Sequence, residues 1–272
     1  ADELGAKLGI TGNHPDRIKA AIFHVLTNAA LSEGHVYLDA EMVLPMVKEM
    51  LEQSQRIEIP YEAISKAAID MREESKICGE ETRMYLPSLY FSEVGIASKI
   101  NELKEKNKKA ENFSRDEIRK AIGDIEEQYD VTYAPTQALA IETALNSAVM
   151  ILTGGPGTGK TTVVRGLVEV YAELHGLSLN PKTYAEKEEP FPIVLAAPTG
   201  RAAKRLAEST GLPAMTIHRL LGFNGQEKDE ETEREVVGRL IIIDEMSMVD
   251  TWLAHQLLKA LHEDVQVVFV GD

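Results

Sequence analysis

A mainly helical region followed by an α/β domain, its parallel sheet covered by helices on both faces, is the fold class this sequence predicts. Three observations carry it. Apolar side chains recur at helical spacing through most of the first 130 or so residues. Four short apolar runs follow, "AVMILT", "IVLAAPT", "RLIIIDE" and "VQVVFVGD", with helical segments between them. Such runs are apolar throughout rather than alternating, as strands buried on both sides must be, and this implies a parallel sheet between two helix layers. Composition allows the core, since 44% of the 272 residues are hydrophobic. The change of pattern sets the expected domains at 1–132 and 133–272.

Taken in order, "HPDRIKAAIFHVLTNAALSEGH" places Ile18, Ile22, Val25, Leu26 and Ala29 on one helical face, with Pro15 near the start and Gly34 near the end. "LDAEMVLPMVKEMLEQS" and "PYEAISKAAIDMREES" predict two further helices, the first started or kinked by Pro45. "KICGEETRMYLP" has two short runs around Gly79, which suits a hairpin. Helices followed by a hairpin suggest a winged-helix-like part. Cys78 in that hairpin reads as a plain buried thiol, because no second cysteine or suitably spaced histidine accompanies it. "SLYFSEVGIASKINELKEKNKK" returns to helix, and its lysine run reads as a solvated helix end rather than a DNA contact. Ser114 and Glu117 form a capping box ahead of "IRKAIGDIEEQY". In the second domain "SLNPKTYAEKEEPFP" and "FNGQEKDEETEREVVG" read as solvated loops, and Met246, Met248 and Trp252 as packing for the helix after the third strand.

Bulk properties exclude several classes. The formal net charge is -15, so phosphodiester backbones are repelled on average and any nucleic-acid contact needs a local basic patch. A single cysteine rules out an internal disulfide framework and is compatible with a cytoplasmic location. No apolar run approaches 18 residues, so no transmembrane helix and no membrane partner are expected. "ADELGAKLGI" lacks the basic and apolar regions of a signal peptide. The chain opens inside a helical pattern and stops directly after a strand, which reads as a piece of a longer protein.

The sharpest chemistry lies in "ILTGGPGTGKTTVV". Gly154 to Thr161 fit G-x-x-x-x-G-K-[ST], between a predicted strand and a predicted helix. Glycines let the backbone curl until several N–H groups face one phosphate, and the helix N-terminus adds favourable partial charge. The expected ATP-binding residues are Gly155, Pro156, Gly157, Thr158, Gly159, Lys160, Thr161 and Thr162. Lys160 reaches the β- and γ-phosphates, and Thr161 offers its hydroxyl to Mg²⁺. "LIIIDE", about 80 residues on, supplies the acids: Asp244 holds Mg²⁺ directly or through water, and Glu245 orients and deprotonates the attacking water. The Asp-Glu pair favours hydrolysis over transfer to another substrate. Lys160, Asp244 and Glu245 are the expected catalytic set, with ATP and Mg²⁺ as cofactors.

The segment "APTGRAAKRLAESTGLPAMTIHRLLG" reverses the local charge, gathering Arg201, Lys204, Arg205 and Arg219 against Glu208 alone. Thr199, Ser209, Thr216 and His218 add short donors suited to phosphate oxygens. A merely solvated basic helix explains the charge equally well.

At this point the chain resembles the RecD-like DNA helicases of superfamily 1, the 5′-to-3′ group. "GGPGTGKTT", "LAAPTGRAAKRL", "TIHRLLG", "IIIDEMSMVD" and "FVGD" resemble that family's motifs, in order, over residues 133–272. "YAPTQALAIETAL" resembles the Q-motif region, in which Gln137 would read adenine, although Gln137 also suits a plain helix surface. "ADELGAKLGI" resembles part of a helix-hairpin-helix element, and "GHVYL" with "MYLPSLYFSEVGIASKI" the segments leading into the motor. The resemblance implies a RecA-like first motor domain of the P-loop NTPase class that pulls on single-stranded DNA, with roles in DNA repair and recombination. Thr199, Arg201, Thr216 and His218 would lie along the strand, His218 equally suiting a packing or capping role. It implies possible nuclease or repair-complex partners, and a second motor domain whose arginine fingers are worth roughly 10³–10⁵ in rate in comparable systems. The chain as given is therefore expected to bind nucleotide, to hydrolyse it poorly and not to unwind duplex. Two rival readings are a P-loop ATPase acting as a DNA-associated switch, and a DNA-binding module with a degenerate ATP site. Intact Lys160, Thr161, Asp244 and Glu245 speak against the last.

Overall fold

Apolar periodicity becomes two compact units in the structure, a computed structural model, Ala1–Gly95 and Ile96–Asp272. It describes residues 5, 7, 9–55, 57–80, 82–107, 113–223 and 235–272. Most of the helix-hairpin-helix stretch, the end of the lysine run and most of the second polar loop lie outside the described residues.

In the first unit α1 spans Pro15–Asn28 and continues as a π-helical turn, Ala29–Glu33, which Gly34 ends in the left-handed region at φ 74°. Strand β1, Tyr37–Asp39, leads into α2, Ala40–Gln55. The helix starts at Ala40, so Pro45 lies inside it, costing one ladder hydrogen bond without ending it. Helix α3 is Tyr61–Glu73, and β2, Arg83–Tyr85, pairs antiparallel with β1. Ile18, Ile22, Val43, Val47, Ile64 and Met71 form the buried centre. The turn around Gly79 closes as expected: Cys78 and Tyr85 exchange backbone hydrogen bonds of 3.0 and 2.8 Å. Gly79 has φ 137°, and a Cβ there would collide with the Arg83 carbonyl, so the turn requires glycine. Cys78 itself is half-buried.

Helix α4, Pro87–Asn107, contains the division between the units. Residues 96–132 thus pack with the second unit, in which α5, Arg115–Tyr129, begins at the predicted capping box. Ser114 Oγ accepts from Glu117 N at 3.3 Å, and Glu117 Oε2 accepts from Ser114 N at 2.8 Å. Then come α6, Pro135–Leu145, β3, Val149–Thr153, α7, Lys160–His175, and the short α8, Pro181–Ala185. Strand β4, Ile193–Ala197, is followed by α9, Gly200–Thr210, β5, Ala214–Thr216, and α10, Ile217–Leu220. Strand β6, Leu240–Ile243, a 3₁₀ turn at Met246–Met248, α11, Thr251–Lys259, and β7, Gln266–Gly271, complete it.

The five strands are parallel in the order β3-β7-β6-β4-β5. Alternate residues serve opposite faces. Leu240, Ile242, Val268 and Val270 pack with α5, α6 and α7 through Ile118, Ile141 and Leu167. Ile241, Ile243, Val267 and Phe269 pack with Leu103 of α4 and with Leu253, Leu257 and Leu258 of α11. Burial on both faces is why these strands read as continuous apolar runs. Among the described residues, no helix is long and apolar enough to cross a membrane.

Candidate functional site

Parallel strands place all their C-terminal ends on one edge, where the loops that follow them converge. Because β3, β7 and β6 are neighbours, the glycine loop after β3, Gly271-Asp272 at the end of β7 and Asp244-Glu245 after β6 are brought side by side. They line one cavity of ≈ 550 Å³.

Gly157 and Gly159 take φ 77° and 84°, a left-handed conformation that side chains resist, and this curls the loop toward the start of α7. Thr158 Oγ1 donates to the Gly155 carbonyl at 2.9 Å and tightens the curl. No side chain caps α7, so its first N–H groups and the positive end of its dipole face the cavity. Lys160, the first helical residue, donates to the Gly154 carbonyl and pairs with Asp272 at 2.6 Å. Gly155 through Thr161, Asp244 and Glu245 all line the cavity. Thr162 and Gln137 are not among the lining residues. Gln137 lies against the loop: its Oε1 accepts from Ala134 N at 3.0 Å, and its Nε2 occupies the space that a Cβ on Gly159 would need.

The acidic side is built as tightly. Asp244 N donates to the Ala196 carbonyl at 2.9 Å, extending the β6–β4 pairing by one residue. Glu245 turns into the left-handed region, φ 56° and ψ 38°, and its N–H donates to Asp244 Oδ1 at 2.9 Å. Glu245 Oε1 accepts from Arg205 Nη2 at 3.2 Å. Thr161 and Asp244, one hydroxyl and one carboxylate on the same cavity, fit Mg²⁺, which takes few protein ligands and fills its octahedron with water and phosphate oxygens.

Thr199 follows β4 and Thr216 ends β5 on the same sheet edge, and each caps a helix, accepting from Ala202 N and Arg219 N at 3.2 Å. Arg201 and His218 are exposed. Two findings depart from the sequence reading. Arg205 and Ser209, read as part of the basic patch, line the cavity, because they sit later on α9 and face back over the glycine loop. Met248 and Trp252, read as helix packing, are 61% and 45% exposed, because the 3₁₀ turn carries them off the sheet edge. Met246 does pack into the core. Trp252 stacks on Phe223 at 5.9 Å with 22° between planes, and Phe223 meets the His218 ring edge-on at 6.1 Å. Phe223 sits outside the basic segment, and its pairing with a residue 29 positions on has no local signal.

Residues 137–272 match the family model described as AAA domain, and residues 1–37 match the ATP-dependent RecD2 DNA helicase HHH domain. The chain is 29% identical over 283 residues to the ATP-dependent RecD2 DNA helicase of Deinococcus radiodurans, covering 100% of this chain and 36% of that one. It is 37% identical over 153 residues to the RecBCD enzyme subunit RecD of Mycobacterium tuberculosis, covering 50% of this chain and 25% of the relative. A solved structure, Pif1 helicase from Candida albicans, is matched at 24% identity and TM-score 0.36, over 52% of this chain and 33% of that one. The chain thus spans between a quarter and about a third of the length of these relatives.

Proposed function

Because the chain belongs to the RecD-like helicase family, with residues 137–272 forming its AAA domain, we propose that it is the nucleotide-hydrolysing motor part of an ATP-dependent DNA helicase that moves along single-stranded DNA. The observation that carries the reading is the shared sheet edge. The triphosphate cleft after β3, β7 and β6 adjoins the threonine caps after β4 and β5. Motions of the loops around a γ-phosphate are thereby felt within one or two strands of a bound backbone.

In this reading Lys160 and the N–H groups of the glycine loop hold the phosphates and draw off negative charge as the terminal bond breaks. Thr161 and Asp244 hold Mg²⁺, which neutralises phosphate charge when bound. Glu245 orients the water and accepts its proton. Thr162 follows Thr161 on the first turn of α7; Gln137 packs against Gly159, and the resemblance to the Q-motif region gives it the adenine base to read. Thr199, Arg201, Thr216 and His218 contact the strand. The half-exposed rings of Phe223 and Trp252 extend that ledge with a surface on which bases stack, whatever their sequence. The first unit, Ala1–Gly95, serves as an accessory DNA-binding region. The site of action is the cytoplasm, and nuclease or repair subunits are its partners, a reading supported by the M. tuberculosis relative being a RecBCD enzyme subunit.

The test is ATP turnover by the full-length protein with and without oligodeoxythymidylate. Stimulation by the strand is expected in the wild type, and Lys160→Ala is expected to abolish turnover while leaving strand binding largely intact. Turnover indifferent to the strand removes the motor reading. Stimulation without movement along the strand favours the switch.

A further inference from the structure

The contact between Arg205 and Glu245 joins two parts of the site to which the motor reading gives separate tasks. Glu245 is the hydrolytic carboxylate. Arg205 stands on α9, the helix whose first turn carries the Thr199 cap and Arg201. Arg201 and Arg205 are four residues apart, so they share a face and are separated by about 6 Å along the axis. Helix α9 is anchored through buried Ala202, Ala203 and Leu206, and it behaves as one rigid rod between the strand ledge and the cleft. Both partners of the pair are accessible: the Arg205 side chain is 64% exposed and that of Glu245 31%. The backbone of Glu245 is also held in the left-handed region, which is costly for a residue with a Cβ and fixes where its carboxylate starts from.

We propose that Arg205 is a positioning residue that restrains Glu245 until a strand engages the start of α9. The inference rests on the motor reading. An oxygen that accepts from a guanidinium is drawn toward the helix and is a poorer acceptor for a water proton. A strand gripped at Thr199 and Arg201 shifts α9 and lengthens the 3.2 Å contact, releasing the carboxylate toward the water. Turnover is then coupled to occupancy of the strand ledge through one helix and one ion pair. An exposed pair is also the right strength for such a latch, since a stronger one would not open on each cycle.

The experiment measures ATP turnover by the full-length protein, with and without oligodeoxythymidylate, for the wild type, Arg205→Ala and Arg205→Lys. Arg205→Ala is expected to raise strand-independent kcat roughly two- to five-fold, the equilibrium effect of one exposed ion pair, and to lower the stimulation ratio by a similar factor. KM for ATP is expected to stay within about two-fold, and Arg205→Lys to fall between the two. Arg205→Gln keeps the stem and is read instead if the alanine variant melts early. An unchanged stimulation ratio overturns the proposal. So does a fall in both rates with a raised KM, which would make Arg205 a phosphate ligand. Wild-type turnover that the strand does not stimulate sinks the motor reading itself, a different result from an Arg205 variant that keeps the wild-type ratio.

Discussion

Gly166 lies in the middle of α7, where helix propensity favours almost any other residue. Gly166→Ala therefore sets a local preference against a tertiary contact. A Cβ at this position would lie 2.5 Å from Tyr133 Oη, 2.6 Å from its Cζ and 2.9 Å from Ile141 Cδ1. Both neighbours are buried, at 7% and 0% exposure, so neither can swing into solvent. Propensity gains about 1 kcal/mol. Overpacking costs about 1–3 kcal/mol, and three contacts below 3.0 Å put this site at the upper end. The net expectation is a loss of about 2 kcal/mol, or about 4–8 °C in melting temperature for a unit of this size. The assay is a thermal melt of the full-length protein, reading the transition that a non-hydrolysable ATP analogue moves upward. The same wedge pushes α6 from α7 and draws Gln137 away from Gly159, so affinity for a fluorescent ATP analogue is expected to fall as well. Adding Tyr133→Phe removes the nearest atom and should recover part of both losses. A Gly166→Ala protein that melts higher than wild type would show that the two helices do not approach as described.

Further expectations follow from other contacts. Lys19 and then Lys76, by hydrogen bonding, hold the Glu74 carboxyl down to about 2 from its ordinary 4.5. A carboxylate with a depressed folded pKa contributes stability above its unfolded value and loses it as pH falls through the folded one. The Glu74 contribution therefore fades between about pH 4.5 and 2, and Glu74→Gln should flatten that part of an acid-unfolding curve. Trp252 is the single tryptophan of these 272 residues, so the fluorescence of this chain reports the ledge without labels. Oligodeoxythymidylate should quench it, and Phe223→Ala should weaken the strand affinity read from that quenching by about 1–3 kcal/mol, the worth of one stacked base. An emission indifferent to saturating strand would remove the rings from the ledge. Glu245→Gln should keep nucleotide affinity and lose turnover, which equilibrium binding and phosphate release would separate.

What was legible in the sequence is what lies in contiguous residues. The glycine loop from Gly154 to Thr161 could be placed between a strand and a helix because its signal is local, and Asp244-Glu245 at a strand end because an apolar run leads straight into them. The alternation of buried runs and helices foretold a parallel sheet, and the Ser114–Glu117 box was read correctly from its spacing. Strand order was not legible, since the adjacency of β3 to β7 joins segments over a hundred residues apart. Strand β5 was missed because three residues inside a basic segment leave no apolar run. Arg205 looked like one more surface cation, and only the packing of α9 beside the β6 end reveals that it faces Glu245. Trp252 reads as packing for the next helix because it lies just after an apolar strand, whereas beyond the turn at Met246–Met248 it is 45% exposed.

The central claim, that the cleft and the ledge on one sheet edge turn hydrolysis into movement, is tested most directly by displacement of streptavidin from biotin at one end of single-stranded DNA. The full-length protein is expected to clear streptavidin from one end only, with ATP and Mg²⁺, and Lys160→Ala to clear none. Strand-stimulated ATP turnover with streptavidin left in place at both ends would contradict it.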